Sequence, residues 1–325
     1  MEQTSTHLPT IGTDNTHAVA PQSLATATPL QKDILRVLAY FDVFQHPLTA
    51  EEIYSFLPSN STSPQAVSDA CCSSPLTDII SPVGGYFLLK TNDASTVFER
   101  LEKEERARKH KKMASVITRI IKHVPFVRAV FVSGELAKGV ASRNGDVDFV
   151  VVTERGRLWI CRTLLIGFKK IALLNNKKYF CLNHLMTEDN LVVHKRSIYT
   201  AVEVVTLKPM LNESLFGAYL KQNEWTERYL PNYGVREYRT SAPQGSLLQR
   251  CFEFFLFPSL AEWLDVNLLA FWKFVWERRY PTLTTEKRNE IFHCSRDLST
   301  AYAGDFSSKI LLSYQQRLAQ FGLNG

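Results

Sequence analysis

The sequence predicts an α+β protein: a mixed-sheet core, preceded by a small winged-helix-like module and followed by a helical region. Three observations predict it. Residues 29–92 carry helical periodicity that gives way to a Gly-Gly hairpin signal. Residues 125–211 alternate β runs with helical stretches, the pattern of an α/β-type core. From residue 212 to 325 helical patterns dominate, with a dense run of aromatic residues.

The elements follow in order. Residues 1–28 are rich in Thr, Ser, Ala and Pro without hydrophobic period, and read as a disordered tail. Ile34, Leu35, Leu38 and Phe41 recur at helical spacing until His46, Pro47 and Leu48 break the pattern. Thr49, with Glu52 three residues on, forms a capping box that opens a second helix through Leu57. A third short helix covers residues 64–72, and strand, turn, strand follow at Ile79 and Ile80, residues 82–85, and residues 86–89. Three helices and a hairpin are the winged-helix order. Such modules bind DNA, but this one carries Lys32, Arg36 and Lys90 against six acidic residues over 30–92, and none of the three lies in its third helix. Phosphate neutralisation supplies most non-specific DNA affinity, so a packing or interaction role is expected instead of DNA binding.

Residues 93–124 form a charged connecting helix. The run 106–112 resembles a nucleic-acid patch, yet Glu99/Lys103, Glu102/Arg106, Glu104/Arg108 and Glu105/Lys109 are acid-before-base pairs at i,i+4, each worth ~0.2–0.5 kcal/mol. A solvated helix is the expectation, its end docked through Met113, Val116, Ile117, Ile120 and Ile121. In the core, residues 127–132, 146–153 and 179–186 read as strands, and residues 158–174 and 199–206 as helices. Val150, Val151 and Val152 in succession indicate burial on both faces. In the C-terminal region, the apolar stretch 254–276 approaches the length of a membrane span but is interrupted by Pro258, Glu262, Asp265 and Lys273. Two amphipathic helices of a core or a homodimer contact are expected, with no membrane partner. His293, Arg296 and Asp297 read as a structural polar knot.

Composition bounds the function. The chain has 325 residues, 45% hydrophobic and 22% charged, about two domains' worth and enough to bury a core. Six cysteines, none in C-x-x-C spacing, are too few for a disulfide scaffold. With no secretion-signal pattern at residue 1, a reducing, cytoplasmic location is expected. The net charge of +6 favours anionic partners weakly.

One segment carries chemistry. Ser133 and Gly134 follow a strand, and twelve residues after Gly134 comes Asp146-Val-Asp148-Phe149. Side chains alternate along a strand, so Asp146 and Asp148 share a face while Val147 and Phe149 point to the core. Two carboxylates on a rigid strand suit Mg²⁺, which takes oxygen ligands and shares them with substrate phosphates. A small turn into a helix offers backbone N–H groups to an anion. Lys138, one turn further on, and the pair Arg157 and Arg162 are candidate phosphate ligands.

The glycine turn, spacer and Asp-x-Asp strand resemble the nucleotidyltransferase superfamily that includes polymerase beta, kanamycin nucleotidyltransferase and the minimal bacterial nucleotidyltransferases. More closely, the chain from about residue 30 onward is similar to a bacterial group of nucleotidyltransferase-domain proteins. That likeness rests on Leu38-Ala-Tyr-Phe-Asp42, Gly156-Arg-Leu-Trp-Ile-Cys-Arg162, Phe180-Cys-Leu-Asn183 and Tyr199-Thr-Ala-Val-Glu203 through Leu207-Lys-Pro209. The resemblance makes residues 125–211 a nucleotidyltransferase core, with residues 212–325 as a helical region closing a cleft over the nucleotide. It implies Mg²⁺-dependent transfer of a nucleoside monophosphate from an NTP, ATP being the expected nucleotide, to a hydroxyl of a small molecule, protein or RNA. By carry-over, Asp146 and Asp148 hold one or two Mg²⁺ ions, and Ser133 and Gly134 lie by the triphosphate.

Two departures stand out. The family has Gly-Ser at the turn, whereas Gly134 is followed by Glu135. A carboxylate about 4 Å from a phosphate charge costs about 1 kcal/mol in water and about 4 kcal/mol at an effective dielectric near 20. The strand that should bring a third carboxylate offers Asn183, a metal ligand but no base, and His184, a base candidate. Glu203, on the next helix, is the substitute general base. The alternative is a degenerate member that binds nucleotide or a partner without turnover.

Overall fold

The computed structural model describes residues 24, 26–60, 62–176, 178–233, 245–300 and 306–323. The chain begins with α1 (Pro29–Asp42), α2 (Ala50–Ser55), α3 (Pro64–Cys71) and the antiparallel hairpin β1 (Ile80–Val83) and β2 (Tyr86–Leu89). Thr49 and Glu52 exchange the reciprocal bonds of the capping box at the start of α2 (3.3 and 2.9 Å). Gly84 and Gly85 both take positive φ, which a two-residue hairpin turn requires. Most of the expected tail, residues 1–23, lies outside the described residues. Its last part is not a tail: Leu24 and Ala27 are buried in the core, and Thr28 caps α1.

Next come α4 (Ser95–Ile121), β3 (Val127–Val132), α5 (Gly134–Ala137), β4 (Asp148–Thr153), α6 (Leu158–Ala172), β5 (Cys181–Thr187), α7 (Ile198–Thr206), β6 (Lys208–Leu211) and α8 (Glu213–Gln222). The chain continues through α9 (Leu247–Phe255), α10 (Pro258–Arg279), α11 (Thr285–Ile291), β7 (Leu298–Thr300) and α12 (Phe306–Gln320). Among the described residues, five strands form one mixed sheet in the order β6-β3-β4-β5-β7, with the β4–β5 pair parallel and the other pairs antiparallel. The protein is therefore mixed α+β, as the sequence predicts. The edge strands β6 and β7 were not anticipated: each is three or four residues long and too short to carry a period.

Residues 149–152 of β4 are all buried because the sheet is covered on both faces. One face (Ala129, Phe131, Val150, Val152) packs with α7, α8, α12 and also α1, through Ile34, Leu35 and Leu38. The other face (Val130, Phe149, Val151) packs with α4, α6 and Trp276 of α10. The N-terminal helices thus share a hydrophobic core with the sheet. Asp42 pairs with Arg317 of α12 at 2.5 Å, and Tyr40 meets the Tyr314 ring edge-on.

The connecting helix is bolted to the same assembly. Arg100 of α4 is buried, bonds the Pro47 carbonyl, and bridges Glu52 (2.6 Å) and Glu104 (2.9 Å). Of the four anticipated i,i+4 pairs, Glu102/Arg106 forms at 3.1 Å, while Glu104 turns to Arg100 and Arg108 to Glu105. The docking stripe also differs. Ala107, Ala114, Ile117 and Ile121 are buried, whereas Met113, Val116 and Ile120 are exposed, because the helix has room for only one narrow buried face. No single helix among the described residues is long and apolar enough to cross a membrane.

Candidate active site

The site is built where β3 ends and β4 begins. Ser133 donates its backbone N–H to the Asp148 carbonyl (3.0 Å), which draws the following turn across the start of β4. Gly134 then adopts φ +67°, and a Cβ placed on it would lie 2.8 Å from Asp148 Oδ2. Left-handed backbone and close approach together leave room for glycine alone. The helix it opens is a single turn, so little peptide dipole is aligned there, and Lys138 caps its C-terminal end instead of lying inside it.

Asp148 is half-buried, and its carboxyl is pushed up to about 7. Burial is the main cause and the charge of Asp146 the next. The neighbouring Cys181 thiol opposes them, and Glu203 and Glu135 add to the rise. The strand expected over 146–153 begins at Asp148, so Asp146 lies in the loop just before β4, two residues from Asp148 and separated from it by fully buried Val147. The β4–β5 register slips between Phe149 and Val150, leaving Asn183 as the extra residue on β5. This bulge lets Asn183 Nδ2 donate to Asp148 Oδ1 at 2.7 Å, while Cys181 donates to Asn183 Oδ1 at 3.1 Å.

Glu135 is engaged by the loop before β4. Its two oxygens accept the backbone N–H and the hydroxyl of Ser142, both at 2.8 Å, and so brace the loop leading to Asp146. The carboxylate that looked out of place beside a phosphate is a loop clamp. Lys138 and Glu203 are brought together: Nζ donates to Glu203 Oε1 at 2.7 Å and to the Gly134 carbonyl at 3.4 Å. His184 shares the sheet face of Val150 and Asp148 by register, and burial pulls its imidazole down to about 4.

Two candidates belong elsewhere. Arg157 and Arg162 follow the C-terminal end of β4, and the strand itself separates that end from Asp148 by roughly 17 Å. Arg157 donates to the Pro258 carbonyl (3.2 Å) and pairs with Glu262 (3.3 Å). Arg162 is buried against the rings of Trp272 and Trp276, and burial lowers it to about 10. They hold α6 and α10 together and do not meet Asp148. Of the C-terminal region expected to close the cleft, α10 packs on the sheet face away from Asp148, whereas α8 and α12 pack on the face of Val150. Arg296 pairs with Glu262 in that same network, in keeping with the structural reading of the polar knot.

The elements that do adjoin the site include the N-terminal module. His46 is half-buried, and its imidazole is held well below the usual range by burial and then by the charges of Arg100, Lys103 and Lys138. Tyr40 is raised by burial and by Glu203, and its hydroxyl is buried without a hydrogen-bond partner among the described residues. No local motif marks either residue, since a Tyr in an apolar stripe and a His before Pro read as core and turn.

Among the described residues no group of three or more His, Cys, Asp or Glu is arranged to hold a metal ion. Asp146 and Asp148 nonetheless offer the donors that Mg²⁺ uses, one or two carboxylates with the remaining positions left to water and phosphate, whereas Asn183, expected as a third ligand, turns its amide nitrogen to Asp148 and its oxygen to Cys181. The residues present therefore fit the ion. No family model, curated protein or solved structure matches this chain.

Proposed function

We propose that the protein is a Mg²⁺-dependent nucleotidyltransferase. It would transfer a nucleoside monophosphate from an NTP, with ATP the expected donor, to a hydroxyl of a small molecule, protein or RNA. The observation that carries this reading is the Asp146–Asp148 pair held behind Gly134, with a glycine required by the aspartate it faces. The order of three helices and a hairpin supports a winged-helix-like module, which here serves to wall the site with Tyr40 and His46 instead of reaching for DNA.

Mg²⁺ held by Asp146 and Asp148, and by Asn183 only once its amide oxygen leaves Cys181 and turns over, would neutralise charge on the triphosphate and the departing pyrophosphate. Gly134 keeps the turn flat against Asp148 so that a phosphate can approach backbone. Lys138 offers a cation next to that turn, with N–H groups beyond those given to Glu203 and Gly134. Glu203 takes the proton of the acceptor hydroxyl as its oxygen bonds to the α-phosphorus and the bond to the β-phosphate oxygen breaks. Lys138 holds the Glu203 carboxylate in place through its 2.7 Å ion pair.

A second reading is favoured by one feature. Asn183 stands where a third carboxylate would and donates to Asp148, which suits binding without turnover. Incubation with NTPs labelled at the α-phosphate separates the two. The first reading expects label on an acceptor and release of pyrophosphate, both lost in the Asp146→Ala, Asp148→Ala double variant. Label transfer that survives in that variant would dismiss the assignment. Mg²⁺-dependent nucleotide binding with no pyrophosphate released would select the second reading.

A further inference from the structure

The C-terminal helices α9 and α10 present an apolar surface that nothing in the described chain covers. α9 is docked the wrong way round for a core helix. Gln249 is its buried residue and donates to the Val127 carbonyl (2.8 Å), and half-buried Glu253 accepts from the Phe126 N–H (2.6 Å) and Arg128 (2.9 Å). Its apolar side chains face out: Leu247 is 80% exposed, Phe254 80% and Phe255 74%. On α10, Asp265 turns inward to accept from the backbone N–H groups of Trp159 and Ile160, while Trp263, Phe271 and Phe274 are each more than half exposed.

The size of this surface is unusual. Seven aromatic residues between 252 and 274 are more than half exposed. At 150–250 Å² per aromatic side chain they present roughly 800 Å². The largest apolar patch on a typical soluble monomer is ~300–600 Å².

Charge selects the partner. Every carboxylate on α9 and α10 is engaged internally: Glu253 by Arg128, Glu262 by Arg157 and Arg296, Asp265 at the start of α6, and Glu277 by Arg288. Arg250, Lys273 and Arg278 have no carboxylate within ion-pair distance among the described residues. By helical position, Arg250 borders the apolar arc of α9, and Lys273 and Arg278 lie on either side of that of α10. The surface is therefore aromatic at its centre and cationic at its edge. A second copy would bring the same cations to the same edge, whereas an anionic bilayer neutralises them and buries the rings at the headgroup boundary.

We propose that α9 and α10 bind the protein peripherally to anionic lipid membranes, lying in the interface with the outward aromatic face submerged. The two helices together have the length and composition of a span but meet at an 88° bend, and Gln249, Glu253 and Asp265 tie them to the core. They lie on the membrane and do not cross it.

The test uses the full chain and vesicles of phosphatidylcholine, alone or mixed with phosphatidylglycerol. Trp263 is 61% exposed, while Trp159, Trp225 and Trp276 are buried and Trp272 half-buried, so Trp263 reports the face. Co-sedimentation with the anionic vesicles and a blue shift of tryptophan emission are expected, both weakened by salt. Trp263→Phe keeps the sedimentation and loses the shift. Lys273→Gln with Arg278→Gln lowers partitioning roughly thirtyfold, about fivefold per charge. Phe254→Ser with Phe255→Ser abolishes binding without changing the melting temperature or circular dichroism. Absence of vesicle binding, or equal binding to neutral and anionic vesicles, overturns the proposal. So does a dimer in light scattering that the Phe254→Ser, Phe255→Ser variant splits, which would assign the face to a second copy.

Discussion

At Gly134 the demands of backbone and site coincide. Its φ is left-handed, and its missing Cβ is the space that Asp148 Oδ2 occupies. Gly134→Ala should cost about 1–2 kcal/mol of stability from the conformation alone. Because the added methyl also displaces the Asp148 carboxylate, Mg²⁺ affinity measured by calorimetry should fall more steeply than stability measured by urea unfolding. Asp146→Asn tests the electrostatics of the pair. Removing the neighbouring charge should lower the Asp148 pKa from about 7, with burial keeping it above the ordinary carboxylate value, as read by ¹³C titration of the side chain. Asp148 was legible in the sequence because the buried run after it marks the strand, whereas Asp146, expected on the same strand, lies in the loop before it. The roles of Glu135 and Lys138 were not legible, since Ser142 and Glu203 reach them through a loop and across a helix.

Local chemistry served the elements well wherever it was strong. The Thr49–Glu52 box, the Gly84-Gly85 turn and the strand Val127–Val132 stand where the residues put them. It failed on α4, whose amphipathic stripe was drawn one column too wide. Arg100 is the reason α4 is not a free linker, since it ties the helix to α2 and to the loop at Pro47. Arg100→Ala leaves Glu52 and Glu104 without their cation in a partly buried setting and should destabilise the protein by about 3 kcal/mol, measured by urea unfolding. Arg108→Ala, on the exposed side of the same helix, should change stability by less than about 0.5 kcal/mol.

The pH dependence belongs to the whole molecule, because opposed groups act on one folding equilibrium. His46 and His184 are held neutral in the fold, so the stability they carry is complete above pH 6.5. It is lost as pH falls from there through their depressed folded values, to about 4 for His184. Asp148 works the other way: its folded value is raised, so its contribution is complete below its unfolded value of 3.8 and is lost as pH rises through about 7. Asp148→Asn should therefore be more stable than the parent at pH 8, by an amount of the order of 2–4 kcal/mol that vanishes near pH 4. Chemical unfolding of both proteins across that range measures it. Added Mg²⁺ should raise the melting temperature of the parent more at pH 8 than at pH 6, and leave the Asp146→Ala, Asp148→Ala variant unmoved.

By itself the sequence determined the α-helices and strands from residue 29 to residue 206, and the paired aspartates behind a glycine. Each of these depends on neighbours a few residues away. Only the tertiary structure decided which side of the sheet the N-terminal module covers, that Arg157 and Arg162 sit at the far end of β4, and that the rings of α9 and α10 face outward. Those outcomes depend on which faces meet, and a polar anchor such as Gln249 or Asp265 reverses a helix whose apolar content alone would have placed it in the core.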